Sequence, residues 1–395
     1  MMQDSDRSAA IPLFALGFRP FFLGAAAFAA LGAALWAAAY LDWLGDFAPR
    51  GGWLAWHLRE MPFGFACAVI AGFVLTAVQN WTGSPGLRGA PLMGLFGLWV
   101  AARIAWLWPA IPVAWAMAAE LLFLPAVAVR VAWQLRRVHQ RRNYPLVGLL
   151  VLLAMADAMA SIAQLQQDFV LLRQAAWAAL WLIGAVIVLI GGRIIPAFTA
   201  NGLGLAAPVS EAPWLPRSAI VSLLLLAILA AQGIALAPDP RWVPLFGVIT
   251  AVHGWRAARW FHPGILRVPL LWSLHLGHLW LVVALGGLTA WHAGLLANGG
   301  AALHAFTIGG VGGLILAMMA RVSLGHTARP LSPPGLMTIA FLFVALSAGV
   351  RVALIGPAPR FAVAVSAGFW CAGFLLFIGC YAPMLFRPRL DGRAG

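Results

Sequence analysis

Between residues 18 and 386 the chain is a succession of long apolar runs, separated by short joints rich in polar residues, glycine and proline. Twelve runs are read as helices that cross a membrane: roughly 18–41, 56–79, 90–108, 112–135, 145–163, 172–193, 216–237, 240–260, 267–291, 298–321, 335–355 and 361–386. Each is close to the ~20 predominantly apolar residues a helix needs to traverse the hydrocarbon core. Runs 3 and 4, and runs 7 and 8, are divided only by tight turns at Pro109/Pro112 and Pro238/Pro240. No joint is long enough for a soluble unit. The fold class predicted is all-α, a polytopic membrane protein with about 12 transmembrane helices, and residues 1–395 form a single transmembrane helical domain. No internal repeat is visible.

The run at 298–331, NGGAALHAFTIGGVGGLILAMMARVSLGHTARPL, organises the functional reading. It opens with His304, carries Gly309, Gly310, Gly312 and Gly313, and ends on Arg321, His326 and Arg329. At about 1.5 Å of rise per residue, the 22 positions from His304 to His326 span roughly 33 Å. That is about the depth of the hydrocarbon core, so the two histidines mark two levels of the membrane.

Composition supports this reading. The chain is 63% hydrophobic and 9% charged, too few charges to cover a water-facing surface. All 25 basic residues are arginine. A nucleic-acid site needs its positive charge gathered on a soluble face, whereas these charges punctuate apolar runs, so nucleic acid is excluded as a partner. Placing both termini and the even-numbered joints in the cytoplasm puts eighteen arginines there, Arg7 and Arg393 among them. Seven remain elsewhere: Arg50, Arg59, Arg103, Arg173, Arg241, Arg351 and Arg360. The positive-inside rule therefore predicts cytoplasmic termini, in a bacterial inner membrane. No cleavage pattern follows a short apolar run near the start, so no removable signal peptide is expected. Cys67, Cys371 and Cys380 all lie in apolar stretches without a CxxC pair and read as small core residues.

Ionisable residues inside a bilayer are costly, so each raises a question of function. His57 and Glu60 lie three apart at the start of run 2, at a depth similar to His304, which predicts an outer site shared by His57 and His304 with Glu60 beside it as acceptor or proton carrier. In run 9, His275 and His278 share a face; His275 would meet His326 if the chain folded back after Arg321. His253 lies toward the cytoplasmic end, His262 and His292 read as loop or interface residues, and His139 has no assigned role. Neutral imidazole ligates haem iron and copper, glycines let a flat group approach backbone, and arginines such as Arg193 and Arg321 suit haem propionates. The bland alternatives are close helix contacts for the glycines and hydrogen bonds to neighbouring helices for the histidines. Asp157 and Glu120 carry either a proton path or, more plainly, a salt bridge to Arg103 or a polar contact between helices.

Five passages together resemble the NnrS family: PLFALGFRPFF at 12–22, WHLREMPFGFACAVIAGFVLTAVQNWTG at 56–83, GGRIIPAFT at 191–199, PLLWSLHLGHLW at 269–280 and LHAFTIGGVGGLILAMMARVSLGHTARPL at 303–331. The resemblance implies a haem- and copper-containing membrane protein of denitrification and nitric oxide stress. It implies haem of b type, leaves copper open, and gives metal or haem roles to His57, His275, His304 and His326, with His278 a further metal candidate. Nitric oxide is the implied ligand, and its reduction to nitrous oxide would draw electrons from a quinol and protons through Glu60. Two departures stand out. Arg59 occupies a position where the family's usual WHxHEM has a second histidine, and arginine cannot be a ligand because it stays protonated. His278 stands where an aromatic residue is expected. Rival classes are a transporter of a metal or small molecule with transient histidine ligands, and a haem-holding assembly or sensor protein without turnover.

Overall fold

The computed structural model describes residues 11–392. Arg7 and Arg393, and the start of the chain on which the signal-peptide expectation rests, lie outside them. Twelve helical rods follow one another in the order the apolar runs predict. They are α1 (Phe18–Tyr40), α2 (Gly52–Thr82), α3 (Ala90–Leu107), α4 (Val113–Arg137), α5 (Arg141–Gln166), α6 (Phe169–Leu203), α7 (Trp214–Ala231), α8 (Val243–Trp260), α9 (Pro269–His292), α10 (Gly299–His326), α11 (Gly335–Leu354) and α12 (Pro359–Leu385). Eleven are long and apolar enough to cross a bilayer. The twelfth, α8, is shorter of apolar residues because His253, Arg256 and Arg259 fall in its last turns. This is a polytopic membrane protein.

Local chemistry sets the helix ends. Asp168 accepts a hydrogen bond from the Leu171 amide at 2.9 Å to start α6, and Asn298 accepts one from Gly300 at 2.7 Å to start α10. Such caps satisfy amides that have no partner within the helix. The α3–α4 turn is tied down by Arg50, whose Nη2 donates to the carbonyls of Pro109 and Ile111 at 2.9 and 2.6 Å.

The rods are not equally enclosed. In α2 and α10, 83% and 72% of the most apolar window is buried, against 33–61% in the other spans. Their neighbours surround them: α1 packs on α2 and α12, α6 leans on both α2 and α10, and α9 and α11 flank α10. The two central rods also share a local irregularity. Each contains a π-helical stretch, Glu60–Ala66 in α2 and Ala305–Gly312 in α10. Such turns are rare and often mark functional positions.

Candidate functional site

His57 lies three residues before the π-helical stretch of α2, and His304 immediately before that of α10. Both side chains line one cavity of about 330 Å³, walled by α1, α2, α6, α10, α11 and α12. That volume is at the lower end of the roughly 300–1,000 Å³ of small-molecule sites. The two histidines expected to share a site thus line the same cavity.

Each imidazole is held in its own way. The His57 ring stacks on the Trp36 indole, with centroids 4.6 Å apart and planes 17° from parallel, and its Nδ1 is buried without a hydrogen-bond partner. His304 Nδ1 lies 2.7 Å from the Gly300 carbonyl oxygen. A carbonyl only accepts, so Nδ1 carries the proton, and in the neutral ring Nε2 keeps its lone pair. Arg351 Nη2 lies 3.4 Å from that Nε2. Arg351 is the one residue of this wall with a fixed charge. A cavity with a lone guanidinium and no carboxylate on its wall favours an anionic group on whatever enters.

Glu60 is not on that wall. It sits on the far side of α2, where Arg103 Nη1 donates to its Oε2 at 2.7 Å. Arg103 also bonds Glu120. Arg59 Nη2 reaches Asp157 Oδ1 at 3.1 Å, Ser161 Oγ at 3.2 Å and Glu120 Oε2 at 3.4 Å, with its guanidinium over the Trp106 ring. Three carboxyl groups and two guanidiniums thus form one buried lattice joining α2, α3, α4 and α5. Of the alternatives for Glu120 and Asp157, the ion pairs are the ones the fold contains, with Arg59 as an unforeseen second cation. Arg59, at the usual histidine position, faces this lattice.

The remaining candidates are placed elsewhere. His275 Nε2 is 2.9 Å from Thr199 Oγ1. His278 is packed between His253 and Trp260, its Nε2 unpartnered. α10 continues as a helix through His326 without folding back at Arg321, and the His326 ring rests 5.6 Å from Phe18. Arg321 covers the Phe198 ring at 3.6 Å. Arg193 donates to Asn143 Oδ1 at 2.8 Å and to the Arg142 carbonyl at 3.2 Å. Neither arginine lines the histidine cavity. Arg351 and Trp36, which do, were not among the sequence candidates; the only signal for Arg351 was a cation inside the apolar run of α11.

A family model described as NnrS protein matches residues 12–389. The chain belongs to the NnrS family. Membership fits a haem- and copper-containing membrane protein of nitric oxide metabolism, and the match spans all twelve rods of this NnrS chain. No curated protein matches it.

The donor set can be tested against those groups. Among the described residues no three of histidine, cysteine, aspartate and glutamate are arranged to hold a metal ion. A pair of neutral imidazoles would suffice to hold haem iron, whereas protein-held copper usually draws on further ligands such as cysteine or methionine. The His57–His304 pair fits haem better than it fits copper.

Proposed function

We propose that this NnrS-family chain is an intramembrane haem protein that binds nitric oxide, with His57 and His304 as the protein's iron ligands. The observation that carries this reading is the convergence of these two imidazoles, from the two most enclosed rods, on one cavity. Bound there, the haem would supply an iron centre able to take up nitric oxide where one of the two imidazoles yields its place, since the gas needs an open position on the iron. The rest is the work of this chain's side chains. The Gly300 carbonyl fixes the His304 tautomer and ring plane, and the Trp36 indole fixes the plane of His57, the kind of outer support that orients metal ligands. Arg351 provides the cation for a propionate. Because none of the three cysteines belongs to a CxxCH motif, the group is held without covalent attachment, as a b-type haem is.

Reduction of nitric oxide to nitrous oxide is the extended form of the proposal. Two molecules would consume two electrons, from a membrane quinol, and two protons, giving one nitrous oxide and one water. Glu60 is one helical turn from His57 along α2 and is the nearest carboxyl in sequence to the cavity, so it is the residue we assign to proton supply. We place both termini in the cytoplasm, which sets the His57–His304 level toward the outer side of a bacterial inner membrane.

The test is an optical spectrum of purified protein, oxidised and dithionite-reduced, with iron and copper counted per chain. We expect a Soret band that shifts with nitric oxide and is lost in His57→Ala or His304→Ala, and retained in His262→Ala. A folded preparation made with ample haem that contains no iron would overturn the reading.

A further inference from the structure

The groove that holds the histidine cavity does not end there. Helices α2, α6 and α10 all begin at the histidine level and run in the same direction, so increasing residue number on each means increasing distance from that level. On α2 the wall of the first cavity ends at Phe65 and Ala66, and on α10 at Val311. One turn further, about 5.4 Å of helix, Val69 and Ile70 on α2 and Leu314 and Ile315 on α10 line a second, half-open cavity. Positions three and four apart lie on one helix face, so the same faces of the same rods line both.

The second cavity differs from the first in size and chemistry. Its volume is about 70 Å³, and all fourteen of its lining residues are apolar or glycine. A water molecule needs two to four polar partners to remain in such a space, and apolar cavities without them stay dry and accept benzene- or xenon-like guests. The volume is well short of the 150 Å³ or so that takes a benzene ring, so a macrocycle does not fit, and the half-open mouth admits small apolar molecules from the bilayer. What does fit is a single small apolar molecule.

We propose that this second cavity is a binding station for small apolar gases, in line with the histidine cavity and feeding it from within the membrane. The station itself follows from the cavity's size and lining. Its assignment to nitric oxide as cargo rests on the function proposed above. Nitric oxide is uncharged and dissolves in the bilayer, so a dry route along α2, α6 and α10 would deliver it without passing the buried charges of α2–α5.

Xenon tests the station without haem or activity. Protein crystals or nanodisc-held protein equilibrated with xenon gas should show one xenon site bounded by Ile70, Ile190 and Leu314. Ile190→Phe, which fills the space, should abolish it, and Ile190→Ala, which enlarges the space, should raise its occupancy. No xenon there in the unaltered protein overturns the station, whether or not haem is bound. In haem-loaded protein, Ile190→Phe should slow nitric oxide rebinding after flash photolysis about tenfold while leaving the equilibrium spectrum unchanged. An unchanged rate with xenon still bound in the unaltered protein would overturn the feeding role alone. If no haem is taken up, the xenon result still decides the station.

Discussion

The two π-helical stretches invite comparison, because they place the two histidines of one cavity and are built from opposite materials. In α2 the stretch contains Pro62. Proline removes a backbone N–H and its ring presses on the carbonyl one turn back, so the widened turn is a response to a covalent constraint. Ion pairs then fix it: Glu60 to Arg103, with the Trp99 indole donating to the Gly64 carbonyl at 2.9 Å. In α10 there is no proline. Gly309, Gly310 and Gly312 allow the same widening, and large aromatic rings fill the space where side chains would stand. A Cβ on Gly309 would overlap the Trp280 indole, and one on Gly312 would overlap Trp370. Phe306 completes the packing by stacking on Trp181 at 5.4 Å. One histidine is therefore positioned by charge and the other by shape.

The comparison predicts different failures. The largest effect belongs to Arg103→Met, which leaves Glu60 and Glu120 facing each other in the protein interior. Removing one partner of a buried ion pair typically costs about 3–5 kcal/mol, and this guanidinium serves two carboxyl groups, of which only Glu120 keeps a second cation, Arg59. The expected outcome is a protein with sharply reduced yield and a much lower thermal midpoint in detergent. Adding Glu60→Gln to Arg103→Met should recover part of the loss. If Arg103→Met unfolds at the same temperature as the unaltered protein, the α2 stretch is not held by charge.

Gly312→Ala comes next. The added methyl must displace Trp370, whose Nε1 donates to the Ala29 carbonyl of α1 at 2.9 Å, so the disturbance passes from α10 through α12 to α1. Overpacking of this kind costs roughly 1–3 kcal/mol. Pairing Gly312→Ala with Trp370→Phe should be less destabilising than the sum of the two single changes, because the smaller ring yields the space the methyl needs. Strict additivity in the same thermal measurement would show that the two residues do not compete for one volume.

The contrast also explains which parts were legible in the sequence. All twelve rods could be read, since a bilayer imposes length and apolarity on each span regardless of its neighbours. Depth could be read too: His57 and His304 open rods 2 and 10, and both line one cavity. Rotation could not. An i, i+3 spacing predicts that His57 and Glu60 share a face, but the π-helical stretch begins at Glu60 itself, and its carboxyl belongs to the lattice with Arg103. Since each residue turns a helix by about 100°, a local change of pitch redirects everything near it. Arg351 was hidden for a related reason. Nothing in the α11 run shows which way a single arginine turns, and only the packing of α11 against α10 brings it to His304. Arg193 and Arg321 were attractive as cations at span ends, yet one is engaged by the first turn of α5 and the other by Phe198.

The smallest effect is expected from Pro62→Ala, and it is the sharpest probe of the difference between the two stretches. Alanine restores an N–H and removes the ring, so the covalent cause of the widened turn disappears while its ionic supports remain. Pro62 is buried and lines the histidine cavity, so the change also removes a few apolar atoms there; a loss of roughly 1 kcal/mol fits the usual cost of a small core truncation. If the ion pairs alone can hold the turn, the Soret position and the nitric oxide shift of the haem-loaded protein stay as they were. If Pro62 is the cause, α2 relaxes toward ordinary helical pitch, and the rotation is felt on both sides of it. The Glu60–Arg103 contact lengthens and the His57 ring loses its parallel stack on Trp36. The spectrum should then change although no ligand has been removed, while the same spectrum in Gly310→Ala, whose new methyl comes closest to the Phe306 ring and is otherwise in ordinary contact with the α9 backbone at Gly277 and Leu281, should change less. An altered spectrum in Pro62→Ala with an unaltered thermal midpoint would separate positioning from stability, and would assign the placement of His57 to the proline.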